Sequence, residues 1–257
     1  MSISTLKVNT SKAVAAIKSI IPPFIYLALY KALIVKNIPD ASAYKPHYSA
    51  WFEPDFQKLA KKISSNTGLK PESLYTLLHF LKESLSLEGD VMECGVWRGG
   101  SAKLIFETVT KYREDKKVYL FDSFEGMRKT DVEFDRHKTG DFRDTSLDYV
   151  KNYVFNSVFD SEKSKMISFH KGWIPESFQG LDNLKLCFAH IDLDLYKSIL
   201  DTLNFVYPKL SSGGVIVFDD YGFASCPGAR KAVDDFFSDK PESPFSLSTA
   251  QALIFKK

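Results

Sequence analysis

Short apolar segments alternate with helical segments from Asp90 to the end of the chain, and this alternation limits the possible folds more than any other feature. Apolar runs that end in glycine or acidic residues predict strands, and amphipathic stretches between them predict helices. Five strands are predicted, at 91–95, 117–122, 166–170, 184–192 and 214–220, with more strand sequence at 245–255. Repeated units of this kind form a parallel sheet with helices on both faces, so an α/β fold is expected.

The predicted helices begin at residues that favour helix starts. Ser101 is expected to cap a helix that runs to about Arg113. Pro227 stands in the first turn of a predicted helix at 227–238. Two further helices are predicted between the strands, at 145–159 and 196–210.

Residues 1–70 are expected to form a helical N-terminal arm or cap, and residues 71–257 the main domain. The stretch 13–35 is mostly apolar, but Lys18, Lys31 and the pair Pro22-Pro23 interrupt it. No run reaches the roughly 18 apolar residues that cross a membrane. We therefore interpret the stretch as an ordered arm that joins two copies of the chain in a dimer. A membrane-surface helix or a targeting segment is the alternative.

Charge and cysteine content exclude several classes of protein. The net charge of the 257 residues is +2, which creates no field for nonspecific binding of nucleic acid. The three cysteines, Cys94, Cys187 and Cys226, form no close pair, so a disulfide framework is not expected. The cysteines predict a reduced, cytoplasmic protein. The interruptions of the 13–35 stretch favour a protein that does not bind membranes.

A charged loop is predicted between the second strand and the helix that follows it. Eleven of the twenty residues from Glu125 to Asp144 are charged. The loop is either a solvated connection or a lid over a site, because long loops at strand ends often cover sites.

Ligands of doubly wound sheets bind beyond the carboxyl ends of the strands, so the residues there are the candidates for chemistry. The first strand ends in a glycine-containing turn with Glu93 and Gly95, and it lacks the G-x-G-x-x-G pattern of dinucleotide-binding turns. Glu93 would repel a pyrophosphate, whereas a cationic ligand would fit. Asp122, at the end of the second strand, is suited to accept hydrogen bonds from a ribose diol. Together these features indicate an adenosyl ligand such as S-adenosylmethionine, although an ordinary tight turn remains possible.

Four acidic residues follow the fourth and fifth strands. Asp192 and Asp194 are two positions apart and are expected to face the same way, and Asp219 and Asp220 end the next strand. Carboxylates that converge at one sheet edge repel each other unless they are protonated or bind a cation. Oxygen ligands favour Mg²⁺, with Ca²⁺ or Mn²⁺ as alternatives. Asp194 could instead cap the helix that follows it.

The aromatic and histidine candidates allow two interpretations each. His190, two positions before Asp192, could bind the metal or accept a proton, or it could be a core histidine bonded to backbone. Trp97 and Trp173 could stack on a ligand or belong to the core.

Five motifs then appear in order: Glu93 to Gly100 (ECGVWRGG), Phe121 to Gly126 (FDSFEG), His190 to Tyr196 (HIDLDLY), Tyr207 to Leu210 (YPKL) and Gly213 to Tyr221 (GGVIVFDDY). This series resembles the macrocin O-methyltransferase (TylF-like) family over about residues 75–240. The resemblance implies a three-layer, Rossmann-like class I methyltransferase fold with a mostly parallel seven-stranded sheet. It also implies S-adenosylmethionine as methyl donor and dependence on Mg²⁺.

The resemblance assigns roles to individual residues. Asp192, Asp219 and Asp220 would bind the metal, and Asp194, with His190 as the alternative, would act as general base. The donor site would contain Glu93, Gly95, Val96, Trp97, Ser101, Asp122, Ser123, Gly172, Trp173 and Asp192.

The expected function is Mg²⁺-dependent O-methylation of a small acceptor, a hydroxyl on a sugar or phenolic natural product. Two alternatives stay open. Asp192-Leu193-Asp194 is also a D-x-D sequence, which can bind the metal-diphosphate of a nucleotide-sugar in a glycosyltransferase. A non-catalytic, methyltransferase-like binding protein is the third interpretation.

Overall fold

The computed structural model describes Ile25, Ala28 and residues 50–128, 130–131, 133–155 and 162–257. Contacts divide the chain into two compact units, Met1–Ser49 and Ala50–Lys257. The apolar stretch 13–35, with its expected role in a dimer, lies outside the described residues except for Ile25 and Ala28. The second unit begins before residue 71, and the division of the chain into arm and main domain stays a prediction.

The described helices and strands alternate as expected from residue 90 onwards. The helices are α1 (Pro54–Ile63), α2 (Pro71–Ser84), α3 (Gly100–Tyr112), α4 (Leu147–Phe155), α5 (Tyr196–Val206) and α6 (Pro227–Phe237). The strands are β1 (Asp90–Cys94), β2 (Val118–Asp122), β3 (Ile167–Lys171), β4 (Leu186–Ile191), β5 (Leu210–Phe218), β6 (Phe245–Ser246) and β7 (Ala252–Phe255).

The strands form one seven-stranded sheet in the order β3-β2-β1-β4-β5-β7-β6. The first five are parallel, while β7 runs antiparallel to β5 and β6 antiparallel to β7. The predicted α/β fold with a mostly parallel seven-stranded sheet is therefore confirmed.

Proline and apolar spacing explain the two helices that precede the sheet. Pro54 and Pro71 each occupy the first turn of their helix, where a missing N–H has no consequence. The buried leucines of α2 recur at helical spacing on one face, namely Leu74, Leu77, Leu78 and Leu81. Burial of each such side chain contributes roughly 1.5–3 kcal/mol to folding.

Two predicted boundaries are wrong, for local reasons. Ser101 does not cap α3, because Gly99 occupies the capping position in a left-handed conformation and Ser101 lies inside the first turn. Strand β5 begins at Leu210 rather than at residue 214, since the preceding helix ends at Val206 and Tyr207–Lys209 form a short 3-10 turn. Gly213 and Gly214 lie within β5 and weaken its sequence signal.

Alternate residues of the central strands pack into two separate cores, because successive side chains of a strand point to opposite faces of the sheet. Val91 and Val217 pack under α1–α4, whereas Met92 and Phe218 pack under α5 and α6. The sheet is therefore covered on both faces. No helix among the described residues is long and apolar enough to span a membrane.

Candidate active site

A cavity of about 360 Å³ opens at the carboxyl ends of the parallel strands. The chain runs from β1 outwards to β2 and β3, then returns to β4 on the other side of β1, so the strand order reverses between β1 and β4. Crevices at such reversals are where open α/β sheets bind ligands. The cavity is lined by most of the predicted site residues: Gly95, Trp97, Asp122, Ser123, Gly172, Trp173, Asp192, Asp194, Asp219 and Asp220.

Gly95 allows β1 and β4 to meet at the floor of this cavity. Its φ is +89°, and a Cβ atom built there would lie 1.7 Å from the carbonyl oxygen of Asp192. The backbone N–H of Asp192 donates to the carbonyl of Cys94 at 2.9 Å. Every other residue at position 95 would push these two strand ends apart.

Asp122 organises the loop after β1. Its Oδ2 accepts hydrogen bonds from the backbone N–H groups of Val96 (2.7 Å) and Trp97 (2.9 Å). Its Oδ1 accepts a third from Phe124 at 2.6 Å. The carboxylate at the end of β2 thus fixes the β1 turn and its own turn together, and it still lines the cavity.

The predicted loop from Glu125 to Asp144 forms one wall of the cavity. Its lining residues are Gly126, Met127, Arg128, His137 and Phe142. The Trp97 indole donates to Asp144 at 2.7 Å and meets Phe142 edge-on, with ring centroids 5.7 Å apart. The loop is therefore not merely a solvated connection. Trp97 and Trp173 line the cavity and do not belong to either apolar core.

Three of the lining residues have unusual backbone conformations. Trp97, Phe142 and Asp194 have φ values of +46°, +61° and +57°, in the left-handed region that residues other than glycine rarely adopt. Such conformations persist only where the surroundings impose them, and they concentrate at functional sites.

Three carboxylates converge at the other side of the cavity. Oxygen atoms of Asp192, Asp194 and Asp220 all lie within 4.8 Å of one another. Asp220 is buried, and its Oδ2 accepts a hydrogen bond from the backbone N–H of Asp194 at 2.8 Å. Burial, followed by repulsion from neighbouring carboxylates, raises the pKa of Asp192 and Asp220 well above the ordinary value. Burial also raises the pKa of Asp194.

The resemblance implies that Asp192, Asp219 and Asp220 bind the metal, but Asp219 is not one of the three carboxylates that converge. It lines the cavity, but its Oδ1 accepts a hydrogen bond from the buried amide of Gln251 at 2.8 Å. Asp194 converges with Asp192 and Asp220 in its place. The left-handed turn at Asp194 brings its carboxylate to the cluster, and this turn is not visible in the D-x-D pattern.

His190 and Glu93 lie beneath the cavity and not in its wall. Both are fully buried, and His190 Nδ1 lies 2.9 Å from Glu93 Oε1. They occupy one cross-strand row with Leu120 and Val217, which belong to the core under α1–α4. The expectation that His190 shares the accessible face of Asp192 is wrong, because the chain leaves the strand conformation after Ile191.

Two other predicted donor residues also stand back from the cavity. The side chain of Val96 is buried in the core under α1–α4, and only its backbone N–H takes part, through Asp122. Ser101 is 4% exposed within α3 and does not line the cavity.

Several polar residues that no sequence motif marked also line the cavity, among them His137 and Cys226. His137 Nε2 lies 3.4 Å from Asp194 Oδ1, and the Cys226 thiol donates to the same oxygen at 3.1 Å. His137 comes from a loop whose path no periodic pattern predicts. Cys226 directly precedes the helix-starting Pro227, which is the one signal that could have placed it at a strand–helix junction.

Comparison with known proteins gives a consistent family assignment. A family model described as macrocin-O-methyltransferase (TylF) matches residues 78–246, which confirms the resemblance found from the motifs. A 4'-O-methyltransferase of 8-demethyl-8-(2,3-dimethoxy-alpha-L-rhamnosyl)-tetracenomycin-C from Streptomyces olivaceus is 32% identical over 158 residues, 58% of each chain. The mycinamicin III 3''-O-methyltransferase of Micromonospora griseorubida is 30% identical over 185 residues, 67% of this chain and 70% of that protein.

Solved structures support the same fold. The O-methyltransferase NovP matches with a TM-score of 0.64 at 24% identity, covering 75% of this chain and 82% of NovP. The calicheamicin methyltransferase CalS11 matches with a TM-score of 0.63 at 19% identity, covering 85% and 97%. The class I, Rossmann-like methyltransferase fold is thereby confirmed. Since the family model spans β1 to β6 and every acidic residue of the cavity, the chain belongs to the macrocin-O-methyltransferase (TylF) family.

Proposed function

We propose that this protein transfers the methyl group of S-adenosylmethionine to a hydroxyl group of a sugar on a natural product, with the help of Mg²⁺. The observation that carries the proposal is the convergence of Asp192, Asp194 and Asp220 in the cavity that Asp122 also lines. Membership of the macrocin-O-methyltransferase family supports it.

The donor side of the cavity, formed by the turn after β1 and by Asp122, suits a cationic ligand without phosphates. The N–H groups of Val96 and Trp97, which a glycine-rich turn would otherwise offer to a diphosphate, both donate to Asp122. Five aspartates line the cavity, namely Asp122, Asp192, Asp194, Asp219 and Asp220. Their negative charge favours a sulfonium. The N–H groups already bonded to Asp122 are not free for a diphosphate, and this argues against the glycosyltransferase alternative.

The acid side of the cavity, formed by Asp192, Asp194 and Asp220, suits a hard divalent cation. Carboxylate oxygens are the preferred ligands of Mg²⁺, and Asp192 and Asp220 would hold it, with Asp219 or Asp194 close by. Burial, followed by mutual repulsion, raises the pKa of these groups, and a cation here would offset both effects. When bound, Mg²⁺ would lower the pKa of a hydroxyl that it contacts and fix the position of that hydroxyl.

The side chains of the cavity would then carry out the transfer. Asp194 accepts the proton of the acceptor hydroxyl, and its raised pKa makes it a stronger base than an exposed aspartate. Bound S-adenosylmethionine would supply the methyl group: the acceptor oxygen would form the new C–O bond as the S–C bond breaks, with S-adenosylhomocysteine as the neutral leaving group. Trp97 and Phe142 form part of one wall and would help to align the reactants.

We assign the general-base role to Asp194 rather than to His190. Asp194 lines the cavity, while His190 is fully buried against Glu93 and has no exposed surface through which to take a proton from an acceptor. Positioning of the strand ends is the role that the His190–Glu93 pair can fill.

The acceptor class follows from the relatives. Their names specify methylation of a rhamnosyl group on tetracenomycin and of mycinamicin III. The chain spans 58% of the tetracenomycin relative, so the substrate is proposed by analogy. We infer a sugar hydroxyl of a glycosylated natural product.

Thermal melting with candidate ligands tests the proposal. S-adenosylhomocysteine should raise the melting temperature, and UDP-sugars should not, with and without Mg²⁺. Methyl transfer from labelled S-adenosylmethionine to glycosylated acceptors should then require Mg²⁺. Stabilisation by UDP-sugars alone would favour a glycosyltransferase, and failure to bind the donor or the metal would favour a non-catalytic protein.

A further inference from the structure

A second group of ligand-type side chains lies beside the acid cluster and has a different chemical character. His137 of the 125–144 loop, Asp194 of the turn after β4 and Cys226 at the start of α6 meet at one point. His137 Nε2 lies 3.4 Å from Asp194 Oδ1 and 3.6 Å from Cys226 Sγ. Cys226 Sγ lies 3.1 Å from Asp194 Oδ1.

These distances fit the edges of a tetrahedral zinc site. Zinc binds cysteine sulfur at about 2.3 Å, histidine nitrogen at about 2.05 Å and carboxylate oxygen at about 2.0 Å. Tetrahedral angles then give edges of about 3.3 Å for N–O, about 3.6 Å for S–N and about 3.5 Å for S–O. Each observed distance lies within about 0.4 Å of its expected edge. The three side chains therefore need little movement to hold one ion.

The surroundings of His137 supply an independent argument for a metal. Its other ring nitrogen, Nδ1, lies 3.3 Å from Asp141 Oδ2. Asp141 also accepts a hydrogen bond from the backbone N–H of Lys138 at 2.9 Å, and this bond lowers the pKa of Asp141 and keeps it ionised. Metal-binding histidines commonly donate their free N–H to such a carboxylate, which leaves the Nε2 lone pair for the ion.

We propose that His137, Asp194 and Cys226 form a binding site for a soft divalent transition-metal ion, with zinc as the principal candidate. Three protein ligands leave the fourth position open, and all three residues line the cavity. Sulfur and imidazole favour zinc over Mg²⁺, whereas the neighbouring carboxylates favour Mg²⁺. The two sites would share Asp194. On binding, the Cys226 thiol loses its proton to the buffer, and its thiolate sulfur bonds to the ion.

Zinc at this site would inhibit methyl transfer. It would occupy the carboxylate that we propose as general base, and it would tie the 125–144 loop to the start of α6. This consequence rests on the proposed function, whereas zinc binding itself does not.

Cobalt spectroscopy tests the site without any methyl transfer. We would titrate the metal-free protein of 257 residues with Co²⁺, which takes the place of zinc and reports its ligands. A thiolate-to-cobalt charge-transfer band in the near ultraviolet and strong visible bands are expected, saturating at one ion per chain and abolished by Zn²⁺. Absence of the charge-transfer band would overturn the proposal.

Variants assign the band to these residues. Cys226→Ser should remove it, and His137→Gln should weaken Co²⁺ binding by about 100-fold or more. The control Cys187→Ala removes a thiol buried in the core and should retain the band. Circular dichroism checks that each variant is folded. A band that persists in Cys226→Ser or disappears in Cys187→Ala would contradict the assignment.

Inhibition is measured separately. In the wild type, Zn²⁺ should stop methyl transfer at the concentration at which it displaces Co²⁺. Cys226→Ser should need at least about tenfold more Zn²⁺ to halve its own zinc-free rate. Full activity of the zinc-loaded wild type would refute the inhibitory role. Absence of transfer under all conditions would refute the proposed function. The cobalt spectra alone decide whether the metal site exists.

Discussion

The two sides of the cavity hold their carboxylates in opposite ways. On the donor side, Asp122 accepts three backbone hydrogen bonds, from Val96, Trp97 and Phe124. On the acid side, Asp192, Asp194 and Asp220 share a few donors, and their oxygens face one another within 4.8 Å. The carboxylate oxygens of Asp122 are satisfied by backbone donors, whereas burial, followed by repulsion within the cluster, raises the pKa of Asp192 and Asp220.

This difference indicates what each side is for. A carboxylate satisfied by N–H donors shapes the loops that receive a ligand. A cluster of poorly satisfied carboxylates is unfavourable in isolation and becomes favourable when a cation binds. The first side therefore depends on the fold and the second on an ion, and this contrast can be tested one residue at a time.

The largest expected effect comes from removing one acid of the cluster. Asp192→Ala should lower Mg²⁺-dependent methyl transfer by about 1000-fold or more, because the cation supplies several kcal/mol to the transition state. Binding of S-adenosylhomocysteine, measured by calorimetry, should be nearly unchanged. Asp182→Ala, at an exposed position, serves as control and should leave both quantities intact. Unchanged turnover in Asp192→Ala would remove this residue from the metal site.

The next largest effect concerns the donor side. Asp122→Asn keeps the shape of the side chain but turns an N–H group towards backbone N–H donors. We expect the free energy of unfolding to fall by about 2 kcal/mol, since buried donors lose their acceptor. Donor affinity should fall together with stability, in contrast to Asp192→Ala. Urea unfolding and calorimetry measure the two quantities, and a loss of Mg²⁺ dependence without a loss of donor affinity would contradict the division of roles.

The pH dependence of stability distinguishes the two sides further. Burial raises the pKa of Asp192, Asp194, Asp219 and Asp220, so the folded state binds more protons than the unfolded state. The contribution of these groups to the stability of the metal-free protein therefore decreases as the pH rises above about 4, the ordinary carboxyl pKa.

Melting curves between about pH 5 and about pH 8 measure this effect, a range that lies above the ordinary carboxyl pKa. The wild type should lose stability with rising pH more steeply than Asp220→Asn, and Mg²⁺ should stabilise the wild type more at the higher pH. Parallel curves for the two proteins would show that Asp220 does not contribute to the pH dependence of stability, which would contradict its raised pKa.

The smallest effect is expected where charges are fully solvated. Lys58 and Asp55 form an ion pair of 3.1 Å on α1, with side chains that are 79% and 96% exposed. Lys58→Ala should change the melting temperature by less than about 2 °C, because water already stabilises both charges. A larger change would mean that exposed charges matter more in this protein than the contrast assumes.

The sequence predicted the sheet and its active edge because strand periodicity and strand-end residues depend on local chemistry. Asp122, Asp192, Asp194 and Asp220 were found in this way, since parallel strands bring their carboxyl ends to one edge. The roles of Asp219 and His190 were harder to predict, because they depend on the turn after Ile191 and on a partner, Gln251, that lies on the approach to β7. The alternation of side-chain direction along a strand ends where the strand ends, so it does not predict the positions of residues in the following turn.

Residues supplied by loops were beyond sequence reasoning. His137 stands in a charged loop without periodicity, and Cys226 was interpreted only as a cysteine without a close partner. Their proximity to Asp194 depends on the path of the 125–144 loop across the cavity, which long-range contacts determine. The expected role of the N-terminal arm in dimer formation stays a prediction.

Calorimetric titration of Mg²⁺ into the metal-free protein, without donor or acceptor, tests the central claim most directly. The cluster of Asp192, Asp194 and Asp220 should bind one ion per chain, and the heat should vary with the ionisation enthalpy of the buffer because protons are released. Asp220→Asn should bind more weakly and release fewer protons. Absence of Mg²⁺ binding in the wild type, or equal binding and proton release in the two proteins, would contradict the account.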